Sequence, residues 1–443
     1  MAAEERSRAL VIAFYLPQFH PIPENDAWWG RGFTEWTNVV QARPLFEGHY
    51  QPHLPADTGF YDLRVPEVRE LQADMAAAHG IDAFCYYHYW FGGRRILHRP
   101  FDEVLASGRP GLPFMLCWAN ENWTRAWDAG THEILLEQSY SEQERADHLA
   151  YLVDAFRDER YLRVDGRPVF AIYRIGALPD AEGFVADLRQ AAKEGGVGDL
   201  HIVKFNTHAH FDDPADTGCD ASAQFFPHGT HEAGLESLQV PLAPPGNMVI
   251  PYDDMVAGLL ELPVPEWTHY ECVTPGWDNT ARRGDGRSWM LHGSTPEAFE
   301  AWLRTVVERA PERVEGQALV FINAWNEWAE GAHLEPDLRW GDAYLRATAR
   351  AVLGTEPPRS GSLPAAYAQL PPPTPVDDLY GELYQRCIDL EQRLSGLDLA
   401  AQRRTDRAVR ALEEELREER GISSRLAAQV RRLLDHGAVE ETG

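Results

Sequence analysis

Positive charge is scarce in this chain: 41 Lys and Arg stand against 69 Asp and Glu, leaving a formal charge of −28 over 443 residues. Holding a phosphate backbone takes clustered cationic side chains, so the charge argues against nucleic acid as a partner, which is not expected, and the acidic excess suggests solubility. Paired cysteine motifs are also absent. Cys85, Cys117, Cys219, Cys272 and Cys387 are scattered without a CxxC, most of them in apolar runs, which predicts buried, reduced thiols. No apolar run reaches the roughly 18 residues of a membrane span. The opening stretch, MAAEERSRALVIAFYLPQF, carries acidic residues and only a brief apolar segment, unlike a secretory leader, so a cytoplasmic location is expected. Several chemistries lack their signatures. No GxGxxG or GxxxxGK[ST] follows the first apolar run, there is no GxSxG elbow, and no Asp-x-Asp offers a metal–diphosphate grip. His208-Ala209-His210 has a zinc-like spacing, but no further ligands accompany it, so neither a metal nor a cofactor is expected.

What the chain does have is apolar residues, 44% of the total, enough for a large core. Eight short β-prone runs recur: 10–16, 82–89, 114–119, 168–173, 201–205, 221–226, 270–274 and 319–324. Amphipathic helical patterns lie between them near 66–79, 141–158, 181–195, 253–261, 296–309 and 341–353, with no clear pattern covering the second and sixth strands. Such alternation predicts an α/β fold, a (β/α)8 TIM barrel over residues 8–354; a doubly wound open sheet is the competitor.

In a barrel the residues just past each strand converge on one face. The first run ends near Tyr15 and His20 and opens a long loop, 17–65, carrying Trp28, Trp29, Glu35, Trp36, His49 and His53. A loop of that length in a compact domain is usually functional. The second run delivers Tyr86, Tyr87, His88, Tyr89 and Trp90, and the third Trp118, Asn120, Glu121, Trp123 and Arg125. Asn206 follows the fifth, Gln224 and His228 the sixth, and Trp277, Asp278, Asn279, Arg282 and Arg283 the seventh. Aromatics interleaved with amides and carboxylates suit a polyhydroxylated ligand better than a phosphate. Taken singly, an aromatic inside a strand is more often core than ligand platform.

The densest stretch is 319–337, LVFINAWNEWAEGAHLEPD, where an apolar strand runs into Trp325, Asn326, Glu327, Trp328 and Glu330. Glutamates three residues apart in a tight helical turn share one side, with Cβ atoms roughly 5–6 Å apart. Retaining glycoside chemistry holds two carboxyls about 5–5.5 Å apart, one protonated and the other ionised. Proximity itself splits their pKa values, because neighbouring carboxylates resist ionising together. Indole faces supply platforms for sugar rings. Solvated glutamates capping a helix start are the alternative, which the strand, the tryptophans and Gly331 make the weaker one.

Composition changes after Gly354. Residues 355–377 are proline-rich and predict a semi-rigid linker. Residues 378–435 have helix-forming composition, with Leu383, Cys387, Leu390, Leu394, Leu397 and Ala401 at alternating threes and fours. That spacing predicts a coiled coil able to self-associate or bind a partner helix; a single charged helix is the alternative.

Five segments, AFYLPQFHPIPENDAWWGRGFTEWTNV, CYYHYWFGGRRIL, FMLCWANENWTR, PGWDNTARR and INAWNEWAEGAHLEPD, resemble in this order the WbsX-type glycosyltransferases of bacterial surface-polysaccharide gene clusters. That group in turn resembles glycoside hydrolase family 99, the endo-α-mannosidases. The resemblance covers roughly residues 8–353 and implies a (β/α)8 barrel with catalytic carboxylates in an E-W-x-E-G turn after the last strand. It further implies that Glu327 acts as base on the sugar's own 2-hydroxyl, which attacks the anomeric carbon, and that Glu330 is acid and then base. Ala329 stands where the mannosidases commonly carry His, and Trp277 where they carry a tyrosine. The expected function is glycosyl transfer on an oligosaccharide or polysaccharide, in lipopolysaccharide or O-antigen-like biosynthesis. An endo-acting retaining glycoside hydrolase and a non-catalytic glycan-binding scaffold are the alternatives.

Overall fold

The computed structural model describes residues 8–46, 48–124, 134–207, 211–226, 247–283, 288–314, 316–357, 414–419 and 421. Eight parallel strands form its centre: β1 (Leu10–Tyr15), β2 (Ala83–Phe91), β3 (Phe114–Trp118), β4 (Arg167–Ile172), β5 (His201–Asn206), β6 (Ala221–Gln224), β7 (His269–Val273) and β8 (Leu319–Ile322). Each pairs with the next, and β8 pairs with β1 through Ala13↔Ile322, so the sheet closes into a barrel. The eight apolar runs are these eight strands. They read as continuous apolar stretches because both faces are covered, one by the barrel interior and the other by helices.

Among the described residues, six of the seven long covering helices are those expected from periodicity: α1 (Pro66–Ala78), α3 (Glu142–Phe156), α4 (Ala181–Glu194), α5 (Tyr252–Leu260), α6 (Pro296–Arg313) and α7 (Ala343–Leu353). The other, α2 (Arg99–Ser107), covers the second strand. Local chemistry sets several starts. Ser141 and Glu144 form a reciprocal capping box at α3, and Thr295 caps α6 just ahead of Pro296. One crossover departs from strict alternation: among the described residues, β5 and β6 are joined by only a 3-10 turn, Pro214–Thr217. Fourteen residues lie between those strands, and an Asp212-Asp213-Pro214 start with Gly218 closing favours a turn over a helix.

The interior is aromatic. Phe14 packs against Phe205, Phe225 and Phe321 at centroid distances of 5.1–5.7 Å and stacks on Tyr87. Period-two alternation then decides where the neighbours go. Tyr87 points inward, whereas His88 points to the helix layer, where its Nε2 lies 3.0 Å from Nε2 of His148 on α3. Cys85, Cys117, Cys219 and Cys272 are buried free thiols, and Cys387 lies outside the described residues. No helix among the described residues is long and apolar enough to cross a membrane. The expected linker and coiled-coil tail also lie outside the described residues, apart from 355–357, the helical stretch 414–419 and residue 421.

Candidate active site

Past β8 the chain is stapled to the end of β1. Asn326 accepts the Leu16 N–H at 2.7 Å and donates to the Leu16 carbonyl at 3.0 Å, so Glu327 begins from a fixed point. Asn326-Glu327 pairs antiparallel with Ala332-His333, and Trp328–Glu330 forms a 3-10 turn between them. The turn is tighter than the helical one expected from spacing, and in a 3-10 turn side chains three apart eclipse one another. Gly331 closes it at φ +60°. A methyl at Gly331 would meet Asp278 Cβ at 3.0 Å and Asp278 N at 3.1 Å, and that same Asp278 N–H donates to the Glu330 carbonyl at 2.5 Å. Gly331→Ala is therefore expected to cost about 1–3 kcal/mol of stability through left-handed strain and crowding, read by denaturant unfolding, and to displace Glu330. An unchanged midpoint would contradict this.

Three loops bring charge to the turn. Glu35 starts the short helix Glu35–Gln41 in the loop after β1, and Arg282 lies on Thr280–Arg283 after β7. The Arg282 guanidinium ion-pairs with Glu35 through Nε at 3.1 Å, with Glu327 through Nη2 at 2.8 Å, and with Glu330 through Nη1. Glu35 is wholly buried and Glu327 is 4% exposed; the Glu330 side chain, at 18%, is the more open of the catalytic candidates. Burial pushes the Glu327 carboxyl up, to about 8, with Arg282 opposing the rise and Glu330 and Glu35 adding to it. Glu330 is raised too, again by burial first and against Arg282. The resemblance makes Glu330 the acid, and burial raises both carboxyls. Because both groups share one guanidinium, the proton belongs to the pair and a bound substrate chooses its seat.

That arrangement has a stability consequence. An unfolded glutamate ionises near 4.5, so between pH 4.5 and about 8 the folded chain holds a proton that the unfolded chain has lost. The contribution is complete below pH 4.5 and disappears as pH rises through 8. Thermal melts should therefore show wild-type Tm falling more steeply across this window than Tm of Glu327→Gln, and parallel curves would contradict the assignment.

The pair opens on a cavity of about 430 Å³ at the C-terminal mouth of the barrel, a size suited to a small organic ligand. Its walls carry Trp29, Tyr87, Tyr89, Trp123, Tyr173 and Trp277, with Glu121, Asn279 and Arg283 among the polar groups. Among the residues singled out from sequence, Trp29, Tyr87, Tyr89, Glu121, Trp123, Trp277, Asn279, Arg282, Arg283, Glu327 and Glu330 thus come together. Trp28 stands edge-on to Trp123 at 5.9 Å, and Glu35 reaches the pair through Arg282.

The others support the site or lie outside it. Tyr15 donates to Gln72 at 2.6 Å in the packed layer, His20 is buried away from the cavity, and Trp36 donates to the Tyr61 carbonyl at 2.8 Å. His88 and Trp118 face outward, Trp118 against Phe184 and His148. Asn120 exchanges two 2.8 Å bonds with the Arg174 backbone, and Asn206 lines a separate pocket with Gln224 and Glu271. Trp325 packs on Phe84, and Trp328 donates to Glu335 at 2.7 Å while stacking on His333. Asp278 accepts from His49, Gln51 and Thr280, tying the β7 loop to the loop after β1, and His53 lies behind Gly331. Arg125, His208, His210 and His228 fall outside the described residues.

Two residues matter more than their sequence context suggests. Arg282 is one basic residue of an Arg-Arg pair past β7, and nothing in its spacing tells that it meets three carboxylates. Glu335 is the second: buried, it accepts from Gln72, Tyr61 and Trp328 at 2.7 Å each and fixes the Trp328 indole behind the turn. Burial raises its carboxyl to about 7.

Residues 11–348 match the glycosyltransferase WbsX family. Two proteins named uncharacterized protein WxcX, from two strains of Xanthomonas campestris pv. campestris, are each 44% identical, covering 80% and 79% of this chain and 51% and 50% of their own length. The chain spans about half the length of these curated relatives. Among solved structures, a glycoside hydrolase-like protein is similar at TM-score 0.49 and 16% identity, covering 79% of this chain and 95% of its own. A GH99 endo-alpha-mannosidase from Bacteroides thetaiotaomicron is similar at TM-score 0.47 and 17% identity, covering 78% and 96%. By the family match, which runs over most of the barrel, the chain belongs to the WbsX glycosyltransferase family.

Proposed function

We propose that this chain is a carbohydrate-active enzyme that makes and breaks glycosidic bonds at Glu327 and Glu330, performing glycosyl transfer in cytoplasmic assembly of a cell-surface polysaccharide. One observation carries this: two carboxyls three residues apart on one tight turn, Glu327 buried and Glu330 partly so, bridged by one guanidinium at the mouth of an aromatic-walled cavity. A sugar ring seated on the indole and phenol faces presents its anomeric carbon to the pair. The protonated carboxyl gives its proton to the departing oxygen while the ionised one takes the proton of the sugar's own 2-hydroxyl, whose oxygen attacks the anomeric carbon. An acceptor hydroxyl then opens that ring from the face the leaving group left, giving its proton to the first carboxyl as the second returns one to the 2-oxygen. Arg282 keeps one charge on the pair and so preserves both roles.

A specific feature favours a second outcome, retaining hydrolysis with water as acceptor. With one proton on the pair, the negative charges of Glu35 and the pair balance Arg282 and Arg283, so no net positive charge awaits an anionic diphosphate leaving group and the site suits a neutral glycan donor. The discriminating experiment supplies oligosaccharides, including mannose-containing ones, beside nucleotide- and lipid-linked sugars. Chain extension establishes transfer; released reducing ends without any extension remove it in favour of hydrolysis.

A further inference from the structure

Behind the catalytic turn, on the side away from Arg282, lies a second cavity of about 240 Å³ whose wall includes His49, His53, His292, His333, Asp278 and Asp337. We propose that His53, His333 and Asp337 form a binding site for one divalent transition-metal ion of the zinc type, which pins the 48–58 loop to the catalytic turn. One ligand atom from each of these residues lies within 4.8 Å of the other two, so a single ion can reach all three. His53 Nδ1 is 2.8 Å from His333 Nε2, and His333 Nε2 is 3.9 Å from Asp337 Oδ2. Zinc takes imidazole nitrogen and carboxylate oxygen at about 2.0–2.2 Å, commonly three protein ligands plus water. The adjoining cavity has room for that water.

The rings are already oriented as ligands. His333 Nδ1 lies 3.0 Å from the Glu335 carbonyl, which can only accept, so Nδ1 carries the hydrogen and Nε2 presents its lone pair. Trp328 stacks on His333 at 3.8 Å and Tyr50 on His53 at 4.1 Å, fixing both planes. Without an ion, the His333 lone pair accepts from His53 Nδ1–H. Ion binding shifts that hydrogen to His53 Nε2, so both donors are supplied with no net loss of a proton. Burial keeps both imidazoles neutral, as ligands must be. Asp337 Oδ1 accepts the backbone N–H groups of Arg339 and Trp340, the Tyr50 hydroxyl also meets the carboxylate, and Oδ2 is the oxygen turned toward His333 Nε2. Arg339, in the same wall, opposes a second cation, but its guanidinium lies over the Tyr50 ring at 4.7 Å.

The site does not depend on the proposed glycosyl chemistry, so its test reads metal directly. Metal-stripped, untagged full-length protein is titrated with Zn²⁺ by calorimetry and with Co²⁺ by visible absorption. One ion per chain, with the intense d–d bands of four-coordinate Co²⁺, is expected for wild type and for the His208→Ala/His210→Ala double variant. His53→Asn and Asp337→Asn should each weaken binding at least tenfold; the amide introduced by Asp337→Asn retains an acceptor oxygen for the two backbone N–H groups. As a check needing no variant, Zn²⁺ should raise the wild-type Tm. Absence of saturable one-to-one binding, or binding unchanged in both His53→Asn and Asp337→Asn, overturns the proposal.

Discussion

Glu327→Gln and Glu330→Gln are each expected to lower kcat by about 10²–10⁴-fold, the usual worth of a general acid or base, with a much smaller effect on KM. Glutamine keeps the size of the side chain and one acceptor oxygen, so the Arg282 contact can persist while the titrating proton is lost. Residues acting on one proton behave as a unit. The double variant should therefore fall little below the worse single one, far short of the product of the two losses. Steady-state rates on whichever donor the transfer assay identifies read this out. A loss below about tenfold in both single variants would reduce the pair to ligand binding.

Removing Arg282 is the second large perturbation. In Arg282→Met three buried carboxylates, Glu35, Glu327 and Glu330, lose their shared cation. Stripping one partner from a buried ion cluster costs about 3–5 kcal/mol when the remaining charges stay ionised. The chain escapes part of that cost by protonation, which fixes the sign of the pH effect. Arg282 holds the carboxyl pKa values down, so its loss raises them, and both limbs of the pH–rate profile should move to higher pH. A displacement of one unit corresponds to about 1.4 kcal/mol. Arg282→Lys restores charge without the three-way fork, so it should recover the profile's position more fully than the rate. A profile left in place by Arg282→Met would mean that the guanidinium does not set the protonation of the pair.

The barrel was legible because its information is local. Runs such as Leu319–Ile322 and Phe114–Trp118 are apolar at every position, the mark of strands buried on both faces, and helices such as α4 carry a one-sided apolar stripe. The turn that carries Glu327 and Glu330 was legible for the same reason: three residues and a glycine define it. What lay hidden depends on geometry across the chain. His88 and Trp118 sit at strand ends beside cavity residues, yet the two-residue period turns them to the helix layer. Trp325 and Trp328 flank the glutamates in sequence, but close packing assigns them to the floor that holds the turn. The Arg282 cluster joins residues 35, 282, 327 and 330, and the histidine pair joins 53 to 333; no window on the sequence spans either.

Stereochemistry at the transferred sugar tests the central claim most directly. Both glutamates bind terminal nitrogens of one guanidinium, and in the proposed two-step scheme the anomeric carbon is displaced twice, first by the sugar's own 2-hydroxyl and then by the acceptor, so configuration is retained. Proton NMR of the first product formed, taken before mutarotation, should show the new anomeric centre with the configuration of the donor, whether the acceptor is a glycan or water. Product of inverted configuration would contradict the paired-carboxyl mechanism at this turn.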